Sequence, residues 1–302
     1  MVKVRVPYHI TGFWLPILKD DVYATGSLGA GVVLGTYVEA YPCARKLNDK
    51  VISRAFELLN LEDGVYVCLD EPRPVRVGYG ASAARALAAA LSVGLPRGLS
   101  FCTICREVHR AEVELGTGLG DVLAESVGVG VVYRIEPGAP CVGVADFIVP
   151  REDAAVITLP LGQMDTAFML RQFRDRIVEA GKRAYSAFIR NPSFEKFLEC
   201  AHRFSREVGF LSREYEEMLL KALSMYLSRG DVLGYFIKKR LLVLLVEKRS
   251  AVEIADILSM DVGAPVYIDP ISLQGIHIVY ERAGDKVEEA AIHGQREGSK
   301  QL

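Results

Sequence analysis

The sequence has 302 residues, half of them hydrophobic and a quarter charged, which excludes a disordered chain and predicts two ordinary domains, each able to bury its own core. Lys plus Arg number 36 against 38 Asp plus Glu, a formal charge of -2, so no overall field draws the chain to nucleic acid or to an anionic membrane. Any anionic ligand must be held by local geometry.

Residues 2–6 alternate apolar and basic and 29–37 form a Gly/Val-rich run, and both patterns predict strands. Between them, Pro7-Tyr8-His9-Ile10-Thr11-Gly12-Phe13-Trp14 and Thr25-Gly26-Ser27 are rich in turn formers and hydroxyls. This stretch is expected to be loop, a common way to build a small polar-substrate pocket. The start lacks the continuous apolar core of a signal peptide, and no apolar run is long enough to span a bilayer of about 30 Å, which predicts a cytoplasmic protein. A helix is expected over 49–61, with Asn48 or Asp49 as its cap and Glu62-Asp63-Gly64 as its stop, then a strand over 65–69.

After a Pro-bearing turn, Gly78-Tyr79-Gly80-Ala81-Ser82 opens an Ala/Leu-rich helix over 83–92, and a further helix fits 102–115. Beyond Pro150 the pattern changes to three long amphipathic helices over 163–189, 193–210 and 213–229. Strands return at 241–246, 266–268 and 276–280, and the polar tail 284–302 is expected to fray. The shift in pattern divides the chain into domains 1–150 and 151–302. Six cysteines lie scattered at 43, 68, 102, 105, 141 and 200. Without the density of a disulfide scaffold most are expected to be reduced and buried, and Cys102-x-x-Cys105 has no second pair at zinc-site spacing.

Two segments carry chemistry on their residues alone. Gly78-x-Gly80-x-Ser82-Ala83-Ala84 before a helix supplies backbone N–H groups and a helix N-terminus to a polyphosphate, with Ser82 at the helix entry. It is not a Walker loop, because Gly-Lys-Ser/Thr is absent, and two glycines before a helix also make a plain tight turn. Glu112 and Glu114, followed by Gly116-Thr117-Gly118-Leu119-Gly120-Asp121, place carboxylates where one orients a hydroxyl and another holds magnesium. The bland alternative is a solvated acidic helix end with Asp121 as a helix cap.

Taken together, these segments and their order resemble the GHMP kinase superfamily, in which a Gly-x-Gly-x-Ser-Ala-Ala loop wraps the nucleotide phosphates. Within it, the His9-Ile10-Thr11-Gly12-Phe13 start, Gly26-Ser27-x-Gly29-Ala30-Gly31-Val32, the Ala111 to Asp121 segment and the closing Gly263-Ala264-Pro265-Val266-x-Ile268-Asp269 resemble the archaeal pantoate kinase family over nearly the whole chain. The resemblance implies an α+β, two-lobed GHMP kinase fold, with an N-terminal phosphate-binding lobe, a helix-rich C-terminal lobe and the active site between them. It implies ATP and Mg2+ as cofactors, Gly78, Gly80, Ala81, Ser82 and Ala83 as the phosphate loop, and Ser82 with Glu112 as metal ligands. Asp121 is then the catalytic acid/base, and His9, Thr11 and Ser27 face the substrate. That substrate is pantoate, phosphorylated on its primary hydroxyl to 4-phosphopantoate for coenzyme A biosynthesis, and a homodimer is implied as well.

The carboxylate of such a substrate needs a cation, and Arg45 or Lys46 after the second strand is the expected one. Where the superfamily carries a third Gly-rich segment, this chain has Ile237-Lys238-Lys239-Arg240, which either provides charge near the phosphates or is a solvated strand entry, the latter being the expectation. Two other readings keep the same loop: a kinase of another small alcohol, of the homoserine or mevalonate type, and a non-catalytic nucleotide-binding homologue.

Overall fold

Strand β1 (Val2–Ile17) runs straight through the stretch expected to be loop and pairs antiparallel with β2 (Gly26–Pro42). Register shifts between Pro7 and His9 and between Thr11 and Phe13 absorb the turn-forming residues as bulges, so Pro7 and Gly12 mark irregularities within a strand and not its end. Gly12 is needed there for packing, since a Cβ would come within 2.7 Å of both Phe197 and Ala201. Trp14 lines no pocket: it is buried in the core against Phe204 and Phe210, with ring centroids 4.8 Å and 6.1 Å away.

The structure, a computed structural model, describes residues 2–44, 47–61, 66–150, 153–164, 166–262 and 264–280. Arg45, Lys46, the Glu62-Asp63-Gly64 stop and the tail 284–302 lie outside the described residues. In the first sheet the order is β10 (His277–Tyr280), β1, β2, β4 (Val131–Glu136), β5 (Val144–Ile148), with β3 (Val67–Asp70) also on β2. The second is antiparallel, in the order β7 (Val232–Lys238), β8 (Leu241–Glu247), β6 (Ala154–Pro160), β9 (Tyr267–Pro270). Strand β8 is buried along its whole length and β6 along nearly all of it, so both read as continuous apolar runs without alternation. Strand β10 brings residues from beyond 150 back to the edge of β1.

Helices α1 (Lys50–Leu58), α2 (Ala81–Gly94), α3 (Phe101–Glu114) and α4 (Asp121–Val127) accompany the first sheet. Asp49, not Asn48, caps α1 by accepting from the backbone N–H groups of Val51 and Ile52. Helix α2 is buried over most of its circumference, Ser82 and Arg85 being its partly exposed residues: Ala83, Ala84, Ala86, Ala88, Ala89 and Ala90 have no exposure, and their small side chains admit β1, β2 and α3. In the second half, α5 (Thr166–Phe188) and α6 (Phe194–Val208) pack on β1, where Phe13 meets Phe188 and Phe197. The pattern over 213–229 breaks into α7 (Arg213–Ala222) and α8 (Ser224–Ser228), and α9 (Ala251–Val262) covers β6 and β9. One apolar core runs through both sheets.

The cysteines correct an expectation. Cys43 is bonded to Cys68 and Cys102 to Cys141, with Cα atoms 5.7 Å and 5.9 Å apart, while Cys105 and Cys200 are free and buried. The first pair follows from β2–β3 pairing, which sets Tyr41 opposite Cys68 and leaves Cys43 beside it. The second joins the first turn of α3 to the turn after β4, a proximity that only the tertiary fold creates.

Candidate active site

Gly78 and Gly80 take φ of 148° and 72°, conformations that side chains with a Cβ rarely adopt. Gly80 is the N-cap of α2 and contributes no side-chain cap, so the first-turn N–H groups of Ala81 and Ser82 are not spent on one. A Cβ on Gly80 would come within 2.6 Å of Glu125 Oε1 and 2.8 Å of the His9 carbonyl oxygen, so loop, β1 and α4 meet at this point. A helix N-terminus with free first-turn N–H groups is suited to an anion.

Glu112 comes to it from the last turn of α3. It is 1 % exposed, against the solvated alternative, and accepts from Ser82 Oγ and, at 2.8 Å, from Thr117 Oγ1. Burial pushes its carboxyl up to about 7 even though the Ser82 and Thr117 hydroxyls oppose the shift. Glu114, two residues on, points the other way and pairs with Arg54 and Arg110. Gly118 is required because Glu112 Oε2 occupies the space of its Cβ, and Gly120 because Ser27 Oγ and Arg134 Nε do the same.

Asp121 opens α4 as its first residue, with Gly120 as the cap. Three donors converge on a single oxygen, Oδ1: His9 Nδ1 at 2.8 Å, Thr11 Oγ1 at 3.1 Å and Lys238 Nζ at 3.7 Å. No bond to Asp121 among the described residues uses Oδ2, and the side chain is 21 % exposed. Burial alone would raise this carboxyl, but Lys238, the His9 hydrogen bond and Arg134 outweigh it and hold it well below the usual carboxylate range. His9 is expected against the substrate; instead it is fully buried behind Asp121, and burial lowers its value to about 4 against the pull of Asp121. It is therefore neutral at pH 7 and donates through Nδ1.

Two further residues complete the site, Arg134, which the sequence does not single out, and Lys238, whose cluster is expected to be solvated. Arg134 on β4 is fully buried, donates from Nε to the Ser27 carbonyl at 2.9 Å, and leaves Nη1 without a partner among the described residues. Lys238 at the end of β7 is buried, which corrects the expected solvated strand entry, and Lys239 donates to Thr166 Oγ1 at 2.6 Å. Strand parity was the available signal: Val132 and Phe236 are fully buried, and Arg134 and Lys238 follow each by two. Arg45, expected as the cation, lies outside the described residues. A surface groove of about 660 Å³ lined by Arg5, Tyr37, Glu39, Glu71 and His277 includes none of the site residues, so the site is located by its chemistry and not by cavity size.

The two antiparallel sheets with their helices form the GHMP kinase fold. A homoserine kinase from Cytophaga hutchinsonii shares the fold with a TM-score of 0.63 at 16 % identity, over 92 % of this chain and 97 % of that one. No model of a known protein family matches the chain. A pantoate kinase from Thermococcus kodakarensis is 30 % identical over 245 residues, 72 % of this chain and 79 % of the relative. A solved structure described as a phosphotransferase related to the CoA biosynthesis pathway matches with a TM-score of 0.77 at 26 % identity, over 92 % of this chain and 98 % of that one. The chain belongs to the pantoate kinase family.

Proposed function

We propose that the protein transfers the γ-phosphoryl group of ATP, as its magnesium complex, to the primary hydroxyl of pantoate, giving 4-phosphopantoate for coenzyme A biosynthesis. The observation that carries this reading is the asymmetry of Asp121, with Oδ1 crowded by three donors and Oδ2 left for a substrate hydroxyl. A carboxylate held so far toward its ionised form orients the hydroxyl first and takes the proton late, as suits a loose phosphoryl-transfer transition state.

Magnesium-ATP, when bound, supplies the phosphoryl group and the charge that screens its transfer. The residues fit it. The positive-φ glycines and uncapped first turn of α2 suit the phosphates, and Ser82 with Glu112 would hold the metal. Glu112 has the raised value of a buried carboxyl with hydroxyl partners, which a divalent cation would bring down. Among the described residues no group of three His, Cys, Asp or Glu converges to hold a metal without the nucleotide's own oxygens.

The carboxylate of pantoate requires a cation, and Arg134 offers one among the described residues. Its unpartnered Nη1 and the adjacent Ser27 hydroxyl offer donors on the Asp121 side of the site. Among the described residues no helix is long and apolar enough to cross a membrane; a cytoplasmic homodimer belongs to the same reading. ADP release with ATP and magnesium, across pantoate, pantothenate, homoserine and mevalonate, tests the assignment. Turnover on pantoate supports it, turnover on another alcohol replaces the substrate, and silence across the panel with ATP bound makes the protein a non-catalytic homologue.

A further inference from the structure

Lys238 touches two parts of the site from the second sheet, as His9 does from β1. Its carbonyl oxygen would lie 3.0 Å from a Cβ on Gly78, so the end of β7 abuts the phosphate loop. Its ammonium reaches the other way, to 3.7 Å from Asp121 Oδ1. The residue is 6 % exposed. Burial lowers its proton affinity most of all; among the groups that face it Asp121 favours the ammonium and Arg134 opposes it, and Glu125, whose carboxyl burial pushes toward the neutral form, favours it only when ionised. A cation stripped of water in this way, next to a second buried cation, is stabilised chiefly by the one carboxylate it meets.

Resting on the reading of Asp121 given above, we infer that Lys238 is a positioning residue of the phosphoryl transfer: it fixes Asp121 Oδ1 against the phosphate loop, so that Oδ2 alone receives the substrate hydroxyl. The basic turn at 238–240 thus contributes a side chain to the site from the second sheet, at the place where the sequence offers no glycine-rich segment. His9 and Thr11 hold the same oxygen from β1, and Lys238 adds the only full charge among the three. A residue that acts this way governs the chemical step and not nucleotide binding.

The test is steady-state kinetics of Lys238→Met, Asp121→Asn and the double variant with pantoate and ATP. Lys238→Met is expected to lower kcat about 100-fold, with KM for ATP and affinity for a non-hydrolysable ATP analogue within about threefold of wild type. The double variant is expected to lose no more than Asp121→Asn alone, because the lysine acts through that carboxylate. A kcat within about threefold of wild type, a loss carried by KM for ATP, or losses that multiply in the double variant each overturn the proposal. If Lys238→Met does not fold, Lys238→Arg decides the matter. It lowers kcat in the wild-type background and changes nothing once Asp121 is Asn, and equal losses in both backgrounds overturn the proposal. Turnover of the wild-type protein on pantoate in the same assay separates failure of this inference from failure of the reaction itself.

Discussion

His9 Nδ1 lies 2.8 Å from Asp121 Oδ1, across 112 positions of sequence. The contact joins β1 to the first residue of α4 and leaves the imidazole wholly buried, neutral and acting as a donor. The consequence is directional: the protein's contacts fall on one carboxylate oxygen, and the proposed reaction uses the other. Asp121→Asn keeps the shape and removes the charge. It should lower kcat on pantoate by about 100- to 10,000-fold and leave nucleotide affinity within about threefold, as measured by turnover and by calorimetry with an ATP analogue.

Gly80→Ala tests the phosphate loop. At a φ of 72°, and with Glu125 Oε1 2.6 Å from the new Cβ, the substitution costs about 1–2 kcal/mol in backbone strain before any clash is counted. The expected result is a lower Tm together with weaker ATP binding, and the same change at Gly98, also at positive φ but with nothing near its Cβ, should lower Tm alone.

Arg134→Met tests the carboxylate subsite. Loss of a charge-assisted hydrogen bond of about 1.5–3 kcal/mol predicts a rise in KM for pantoate of about 10- to 100-fold. KM for ATP should stay within about threefold, and a loss shared equally by both substrates would place Arg134 in the scaffold and not in the subsite.

Glu125 is buried one helical turn after Asp121, and neither of its oxygens has a partner among the described residues. Burial pushes its carboxyl well above the ordinary value of 4.5, and the negative charges of Asp121 and Glu112 add to the shift. The folded state therefore holds a proton that the unfolded chain releases above pH 4.5. Stability from this group is fully present below that pH and falls by about 1.4 kcal/mol per pH unit as pH rises toward the folded value. Gln cannot ionise and has no such slope. Glu125→Gln should thus melt higher than wild type at pH 8, with the difference vanishing near pH 4.5, in thermal scans across that range.

The two disulfides close loops of 25 and 39 residues in sequence separation. Loop closure of this size corresponds to about 3–4 kcal/mol each. Reduction should lower Tm by several degrees, and non-reducing peptide mapping should recover Cys43 with Cys68 and Cys102 with Cys141.

Much of the site was legible because local sequence carries local chemistry. Gly78, Gly80 and Ser82 announce a helix N-terminus open to anions, and the glycines around Asp121 are spaced by the side chains that press on them. The helices over 163–189 and 193–210 are visible from periodicity, as is the apolar run of β8, while the choice between Asn48 and Asp49 as cap takes the structure. What was not legible depends on distant partners. Strand β1 passes through Pro7 and Gly12 because β2 and α6 hold it in place, so turn formers were read as loop. Cys43 and Cys68 meet only once β2 and β3 pair. Lys238 looks like any surface lysine until the second sheet is laid beside the phosphate loop, and Arg134 until β4 is set against Ser27.

The most direct measurement is the identity of the product formed from pantoate, ATP and magnesium by the purified protein alone, read by the coupling of phosphorus to carbon-bound protons. The account predicts one phosphoester, on the primary hydroxyl, formed in step with ADP and lost in Asp121→Asn. A phosphoester on the secondary hydroxyl, or ADP formed without any phosphorylated pantoate, would contradict it.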